Sequence, residues 1–280
     1  MRIHAYVLAG DPAWAAESIR SYYGLVDRII VSHDRGKRSW SGHPMRVDAA
    51  LAAIRSADPD GKVSVVVGDH SDPDTPVLTV ETAQRQHALD AASEGSDVVL
   101  QLDTDEVVMD AETLQAHVVA MQTRGAIGLE YPLRDFYTWV GRGRYLERCH
   151  RSWRTQAAYP GPVAVISGAT LAHCRQSEGE LYRVDVRPTN TDPWHPRTAP
   201  VHAVVPPASA IAHLSWVRTE EDMELKSSTS GYASSRDWEA DLTRWRRRAR
   251  HPHLTAAMAP ITRDAYERFR ITRLPFGPPQ

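Results

Sequence analysis

Val98-Val99-Leu100-Gln101-Leu102-Asp103-Thr104-Asp105-Glu106 is an apolar run that ends in three carboxylates within four residues. The run reads as a buried strand over Asp97–Leu102 that delivers acid groups to the rim of a sheet. Carboxylates packed that closely repel one another unless a cation or a shared proton holds them. Hard oxygen ligands at a strand end suit Mg2+ or Mn2+, which bind one or two carboxylates together with substrate phosphates. An acidic turn that caps the following helix would leave the same trace, so the flanking chain has to decide.

Upstream, apolar strands alternate with amphipathic helices. Ile3–Leu8 reads as a buried strand, and Asp11-Pro12 as a helix start, since Asp accepts free amide N–H groups and Pro fits a first helical turn. Trp14, Ala15, Ile19 and Tyr22 form one apolar face, with Gly24 as a stop. Arg28–Ser32 is a second strand ending at His33-Asp34. Val47, Ala50, Leu51 and Ile54 recur at helical spacing and predict a helix over 45–57. A third strand, Lys62–Gly68, ends at Asp69, and a helix runs through Val80, Ala83, Ala88 and Ala91. Downstream, Asp110 caps a helix with Leu114, His117, Val118 and Met121 on one face.

Strand–helix alternation of this kind implies an α/β fold with a parallel sheet covered by helices on both faces. In such sheets ligands bind at the carboxyl ends of the strands. Asp11, Asp34, Asp69 and Asp103 all fall at strand ends, where a ligand is expected. After Gly125 the pattern loosens, with shorter strands at Ala126–Tyr131, Phe136–Val140 and Val163–Ser167. Residues 176–200 are polar and Pro-rich and read as a lid or acceptor loop, or else as a disordered insertion. Residues 220–250 read as helical, and Thr219 with Asp222 resembles a capping box. One domain spans 1–280, in stretches over 1–125 and 126–215 followed by a helical extension over 216–280.

The chain has 280 residues, 42% hydrophobic and 24% charged, as in a globular protein. The net charge of -2 gives no global case for nucleic acid or an anionic membrane. No stretch approaches the ~18 uncharged apolar residues of a membrane helix, so no transmembrane segment is expected. Met1-Arg2-Ile3-His4 enters a strand pattern without the apolar core of a signal peptide. Cys149 and Cys174 fit no disulfide framework or metal spacing. Together these predict a reduced, cytoplasmic setting.

The stretch Glu81-Thr82-Ala83-Gln84-Arg85-Gln86-His87-Ala88-Leu89, followed by Val99–Glu106, resembles the nucleotide-binding half of nucleotide-sugar glycosyltransferases with the GT-A fold, a Rossmann-like mixed sheet. In that group an Arg-bearing helix precedes an L-D-x-D-E strand end. His213-Leu214-Ser215-Trp216 with Lys226 resembles the His and Lys found downstream in some relatives. The resemblance covers residues 3–125 and, more loosely, 205–235, and implies a nucleotide-binding half over 1–125 and an acceptor half over 126–215. It implies transfer of a sugar from a nucleotide-sugar donor to a glycan, lipid or small-molecule acceptor, with Mn2+ or Mg2+ on the diphosphate. It implies Asp105 as a direct metal ligand, Asp103 on metal-bound water or ribose, and His213 completing the shell. A neutral imidazole suits Mn2+ better than Mg2+. Asp34 and Asp69 would accept from ribose or base, Arg85 would pair with phosphate through its fork of donors, and Lys226 would reach the diphosphate. For an inverting displacement Asp135 is the first choice of proton acceptor, ahead of Glu130 and Glu147.

Bland readings stand beside each of these. Arg85 and Lys226 could be ordinary helix residues, and His213 a hydrogen-bonded core histidine. The run Arg244-Trp245-Arg246-Arg247-Arg248-Ala249-Arg250 could bind phosphate or a membrane surface, but also suits an exposed helix end, where cations complement the dipole. Gly141-Arg142-Gly143-Arg144 lacks the third glycine of a dinucleotide loop. His251-Pro252-His253 lacks further ligands. Trp139, Trp153, Trp194 and Trp216 could stack on a sugar or belong to a core. Two other functions compete: a non-catalytic nucleotide- or glycan-binding protein of the same fold, and a D-x-D-x-V phosphatase-like hydrolase, which would want its motif on the first strand.

Overall fold

The computed structural model describes residues 1–230 and 236–277. Its first half follows the alternation in the sequence: β1 (Ile3–Leu8), α1 (Ala15–Tyr22), β2 (Arg28–Asp34), α2 (Val47–Ser56), β3 (Val63–Gly68), α3 (Val77–Ser93) and β4 (Val98–Gln101). β4, β1, β2 and β3 lie side by side and parallel. Side chains alternate across this sheet, as period two requires. Ile3, Ala5 and Val7 face a core with Ile19, Tyr22, Ala50 and Ile54 of α1 and α2. Tyr6, Ile30 and Val99 face the other way, onto Ala88, Leu89 and Ala92 of α3. Helices therefore cover both faces. Each fully buried Ile or Leu in these layers contributes about 1.5–3 kcal/mol of apolar burial.

One helix start differs from expectation. Asp11 accepts from the Ala13 amide at 2.9 Å and closes a turn, and α1 begins only at Ala15. The chain needs those extra residues to clear the sheet edge before the helix packs back on it.

Beyond β4 the chain crosses into a second sheet. It forms β5 (Glu106–Val107), α4 (Ala111–Thr123), β6 (Gly128–Glu130), β7 (Leu133–Gly141), β8 (Arg144–Arg148), β9 (Ala164–Ile166), β10 (Leu171–His173), β11 (Gln176–Ser177), β12 (Leu181–Asp185), β13 (Ala203–Val204) and β14 (Ile211–His213). Then come α5 (Glu220–Thr229), α6 (Trp238–Arg250), α7 (Pro252–Ala257) and β15 (Phe269–Arg273). The large sheet has eight strands in the order β13-β12-β6-β9-β4-β1-β2-β3. β9 runs antiparallel to both its neighbours, β4 and β6, so the sheet is mixed. The smaller sheet has five, ordered β15-β8-β7-β14-β5, and β10 and β11 pair by themselves. Asp103-Thr104-Asp105 is the crossing point between the two large sheets.

The second half departs from the sequence reading at 176–200 and adds detail at three other places. Residues 176–200 are not one loop: Leu181–Asp185 is a strand of the main sheet, parallel to β6 and β13. After it, the Asp185 carboxylate accepts from the amides of Val186 and Thr191 and from the Thr191 hydroxyl, which pins the chain down. Residues 141–144 form the turn of the β7–β8 hairpin, with Gly141, Arg142 and Gly143 all at positive φ. The helical reading of 220–250 resolves into α5 and α6, and its part over 231–235 lies outside the described residues. The basic run is half structural: Arg246 pairs with Glu220 and Glu224, and Arg248 pairs with Glu267 while lying over the rings of Tyr137 and Phe269. Among the described residues no helix is long and apolar enough to cross a membrane.

Candidate functional site

A cavity of about 450 Å3 opens at the carboxyl ends of β1, β2 and β4, a volume in the range of small-molecule sites. Asp11, Asp34 and Asp103–Glu106 come from those strand ends, Asp135 and His213 from the smaller sheet, and Lys226 from α5. Three of the four strand-end acids named from sequence thus converge. Asp69 does not: its side chain is 82% exposed and pairs with Arg35 at 2.9 Å, away from the cavity. The edge strand β3 ends one residue before it, and Asp69 is not among the residues that line the cavity.

The acids at the crossing do not face one another uncompensated. Arg85 donates to both oxygens of Asp103, at 2.9 and 3.3 Å, and to Glu81 at 2.9 Å. Burial opposes ionisation of Asp103, yet Arg85 and Arg175 hold it well below the usual carboxylate range. Glu106 is fully buried and bidentate with Arg175, at 2.6 and 2.9 Å. Asp105 Oδ2 accepts from Arg218 at 2.7 Å, and Arg218 also reaches Asp11. Arg85 therefore orients Asp103, spends three of its five N–H donors on Asp103 and Glu81, and also lines the cavity. Arg175 and Arg218 were not singled out from sequence, where thirty arginines give none of them a signal.

The registers of the smaller sheet explain its contribution. His213 of β14 lies opposite Glu106 on one side and Asp135 on the other. Adjacent positions in neighbouring strands bring side chains together, and Asp135 Oδ1 lies 2.7 Å from His213 Nδ1. Asp135 Oδ2 accepts from Arg148 at 3.2 Å. Burial works against the Asp135 carboxylate, but His213 and Arg148 hold it below its ordinary value. A carboxylate so engaged is a weak proton acceptor. The same hydrogen bond to Asp135 orients His213. Glu147 is fully buried between Arg134 and Arg270, and Glu130 pairs with Arg183.

His213 Nε2 is left facing Asp105 Oδ1 at 3.8 Å. Burial alone would lower the imidazole, but Asp135 first and Asp105 next raise it to about 9. Lys226 Nζ donates to Ser215 Oγ at 2.8 Å and lies 3.8 Å from Asp105 Oδ2. Burial, then Arg218, lowers its pKa from the ordinary lysine value. Asp34 lines the cavity while accepting from the amides of His70 (2.7 Å) and Arg38 (3.2 Å), which shapes the loop after β2. Trp216 also lines the cavity, stacked on Tyr137 with centroids 5.3 Å apart. Trp139, Trp153 and Trp194 are exposed elsewhere. Among the described residues, none from 176–200 lines the cavity.

The donor set fits a divalent cation in a restricted way. Among the described residues there is no cluster of three or more His, Cys, Asp or Glu donors. Asp103 accepts one N–H of Arg85 on each oxygen, and its side chain is 32% exposed. Asp105 Oδ1 and His213 Nε2 are the two donors aimed at one point. The Asp135–His213 hydrogen bond has the form of an outer-shell contact, which would fix the imidazole if it bound a metal. Two protein donors suffice where phosphate oxygens and water complete the shell, as is usual for Mg2+.

No protein-family model matches the chain, and no curated protein matches its sequence. Among solved structures, 51% of the chain aligns with 53% of mannose-6-phosphate isomerase from Helicobacter pylori, at 11% identity and TM-score 0.30. It aligns over 59% of its length with 70% of 4-diphosphocytidyl-2C-methyl-D-erythritol synthase from Anaerococcus prevotii, at 12% identity and TM-score 0.32. A third alignment, with mannose-1-phosphate geranyltransferase from Thermus thermophilus, covers 60% of this chain and 51% of that one, at 14% identity and TM-score 0.28. The chain spans about half the length of the first and third of these.

Proposed function

We propose that this chain is a glycosyltransferase: it takes a nucleotide-diphosphate sugar as donor and moves the sugar to a glycan, lipid or small-molecule acceptor, with Mn2+ or Mg2+ at the diphosphate. One observation carries the reading. Asp105 Oδ1 and His213 Nε2 converge 3.8 Å apart in a cavity at the carboxyl ends of parallel strands, with Lys226 and Arg218 beside them. A bound cation supplies Lewis-acid stabilisation of the negative charge that develops on a departing diphosphate.

The chain's own residues account for the rest. Asp105 and His213 would hold the cation, and Asp135 keeps the imidazole turned so that Nε2 faces it. Lys226 and Arg218 add fixed positive charge where the leaving group's charge grows, in a site that excludes much of the solvent. Asp103, fixed by Arg85, presents its partly exposed carboxylate to a ribose hydroxyl or to metal-bound water. Asp34 keeps lone pairs for the nucleoside. Trp216 forms part of the cavity wall, stacked with Tyr137 and Trp238 and with Arg236 over its ring.

The test is nucleotide release from a panel of UDP-, GDP-, TDP- and CDP-sugars with each cation. Release from at least one donor, lowered about 100-fold or more by Asp105→Asn, supports the proposal. A second reading has one observation in its favour: every carboxylate lining the cavity already has a hydrogen-bond or ion-pair partner. That arrangement suits nucleotide binding without turnover. Tight binding with no release across the panel selects it.

A further inference from the structure

The region around α7 has no part in the cavity and carries an unusual surface. Met258 N bonds to Leu254 O, and Ile261 N to Met258 O, so the helical path continues beyond Ala257. Leu254, Met258 and Ile261 then lie on one side, at i, i+4 and i+7. They are 63%, 44% and 70% exposed. Trp153 joins them from the neighbouring turn, which is closed by the His150–Arg154 and Trp153–His150 backbone bonds. It is 47% exposed, and its indole N–H donates to Ala256 O at 3.0 Å. Its backbone is left-handed, φ 56°, a conformation that bulky residues rarely hold and that tends to persist at functional surfaces.

Basic groups frame this apolar face. Arg247 and Arg250 end α6, immediately before α7, and Arg151 and Arg154 flank Trp153. All four are exposed, and none has a side-chain partner among the described residues. Arg247 and Arg250 are the part of the basic run that the internal ion pairs of Arg244, Arg246 and Arg248 leave over. The nearby acid Asp264 is engaged in capping the turn at Tyr266.

We infer that this face docks on an anionic lipid bilayer, with Leu254, Met258, Ile261 and Trp153 entering the interface and the four arginines meeting lipid headgroups. The chemistry is that of an interfacial amphipathic element: an apolar strip, an aromatic residue at the boundary and arginine at the rim. A partner protein surface would need matching acids, whereas an anionic bilayer supplies negative charge over the whole patch. The net charge of -2 does not oppose this, because the patch is local and screening limits distant charges to about a Debye length. The inference does not depend on the transferase reading.

The test is co-sedimentation of the full chain with phosphatidylcholine vesicles and with phosphatidylcholine–phosphatidylglycerol vesicles. The expected result is binding to the anionic vesicles that weakens with added salt, and little binding to the neutral ones. Each of Arg247→Gln and Arg250→Gln is expected to lower partition about fivefold, and Ile261→Ser about tenfold or more. These positions are exposed, and an unchanged thermal midpoint confirms that the variants fold. No binding to anionic vesicles, or binding unaffected by all three substitutions, overturns the inference. So does light scattering that shows a dimer dissolved by Ile261→Ser with no vesicle binding, since the face would then belong to a second copy.

Discussion

Asp103 and Asp105 sit two positions apart and do different work, because different cations meet them. Arg85 takes both oxygens of Asp103, while Arg218 takes one oxygen of Asp105 and leaves the other toward His213. The sequence could show the acids, since D-x-D-E at the end of an apolar run is visible by itself. It could not show which arginine serves which acid. Arg175 is 69 positions from its partner Glu106, and only the fold brings them together. Two predictions belong at this scale. Asp135→Asn leaves the shape of the site but weakens the partner of His213 Nδ1. It should lower Mn2+ affinity about 10–100-fold by calorimetry, as outer-shell changes do, and rescue by Asp135→Glu would mark the role as one of orientation. Arg175→Met strands Glu106 as a buried unpaired charge. It should cost about 3–5 kcal/mol in urea unfolding, and Arg175→Met combined with Glu106→Gln should cost less than the single change.

Elements of the first half were legible because their periods are clean and their ends punctuated. Asp110 is a case in point: it caps α4 by accepting from the Thr113 amide at 3.0 Å. It also accepts from the hydroxyls of Thr113 and Ser209, and these contacts hold its pKa below the ordinary value. A group with a lowered folded pKa stabilises fully above its unfolded pKa, about 3.9, and loses that contribution as pH falls through the folded value. Asp110→Ala should therefore cost about 1 kcal/mol at neutral pH, with the gap from the parent closing in strong acid. The elements of the second half were harder to read for a physical reason. β9, β10 and β14 have three residues each, and β5, β11 and β13 two. Such strands are too short to show an alternation. Their placement depends instead on close backbone approaches. Gly161 is one: at φ 149° a Cβ would lie 2.7 Å from Arg175 Cγ and 3.2 Å from Arg175 O. Gly161→Ala should displace Arg175 and lower stability by about 2 kcal/mol.

At the scale of the whole molecule, the site is a seam. The eight-stranded sheet supplies Asp103 and Asp34, the five-stranded sheet supplies His213 and Asp135, and α5 closes the group with Lys226. Alternation and strand ends revealed which edge of the first sheet would bear a ligand. Nothing in spacing could reveal that 211–213 slots between β7 and β5, and that register is what makes His213 part of the site. If the seam holds a cation against a diphosphate, the folded state alone offers that site. A nucleoside diphosphate with Mn2+ at about 100 times its dissociation constant should then stabilise the chain by about 2.7 kcal/mol, read as a rise in thermal midpoint that chelation removes.

The most direct measurement is titration calorimetry of UDP, GDP, TDP and CDP into the protein, with Mn2+ or Mg2+ and with chelator, for the parent and for Asp105→Asn. Asp105 and His213 acting as the two protein donors predict binding of at least one nucleotide that requires the cation and is lost in the variant. Equal affinity with and without the cation, or binding untouched by Asp105→Asn, would contradict it.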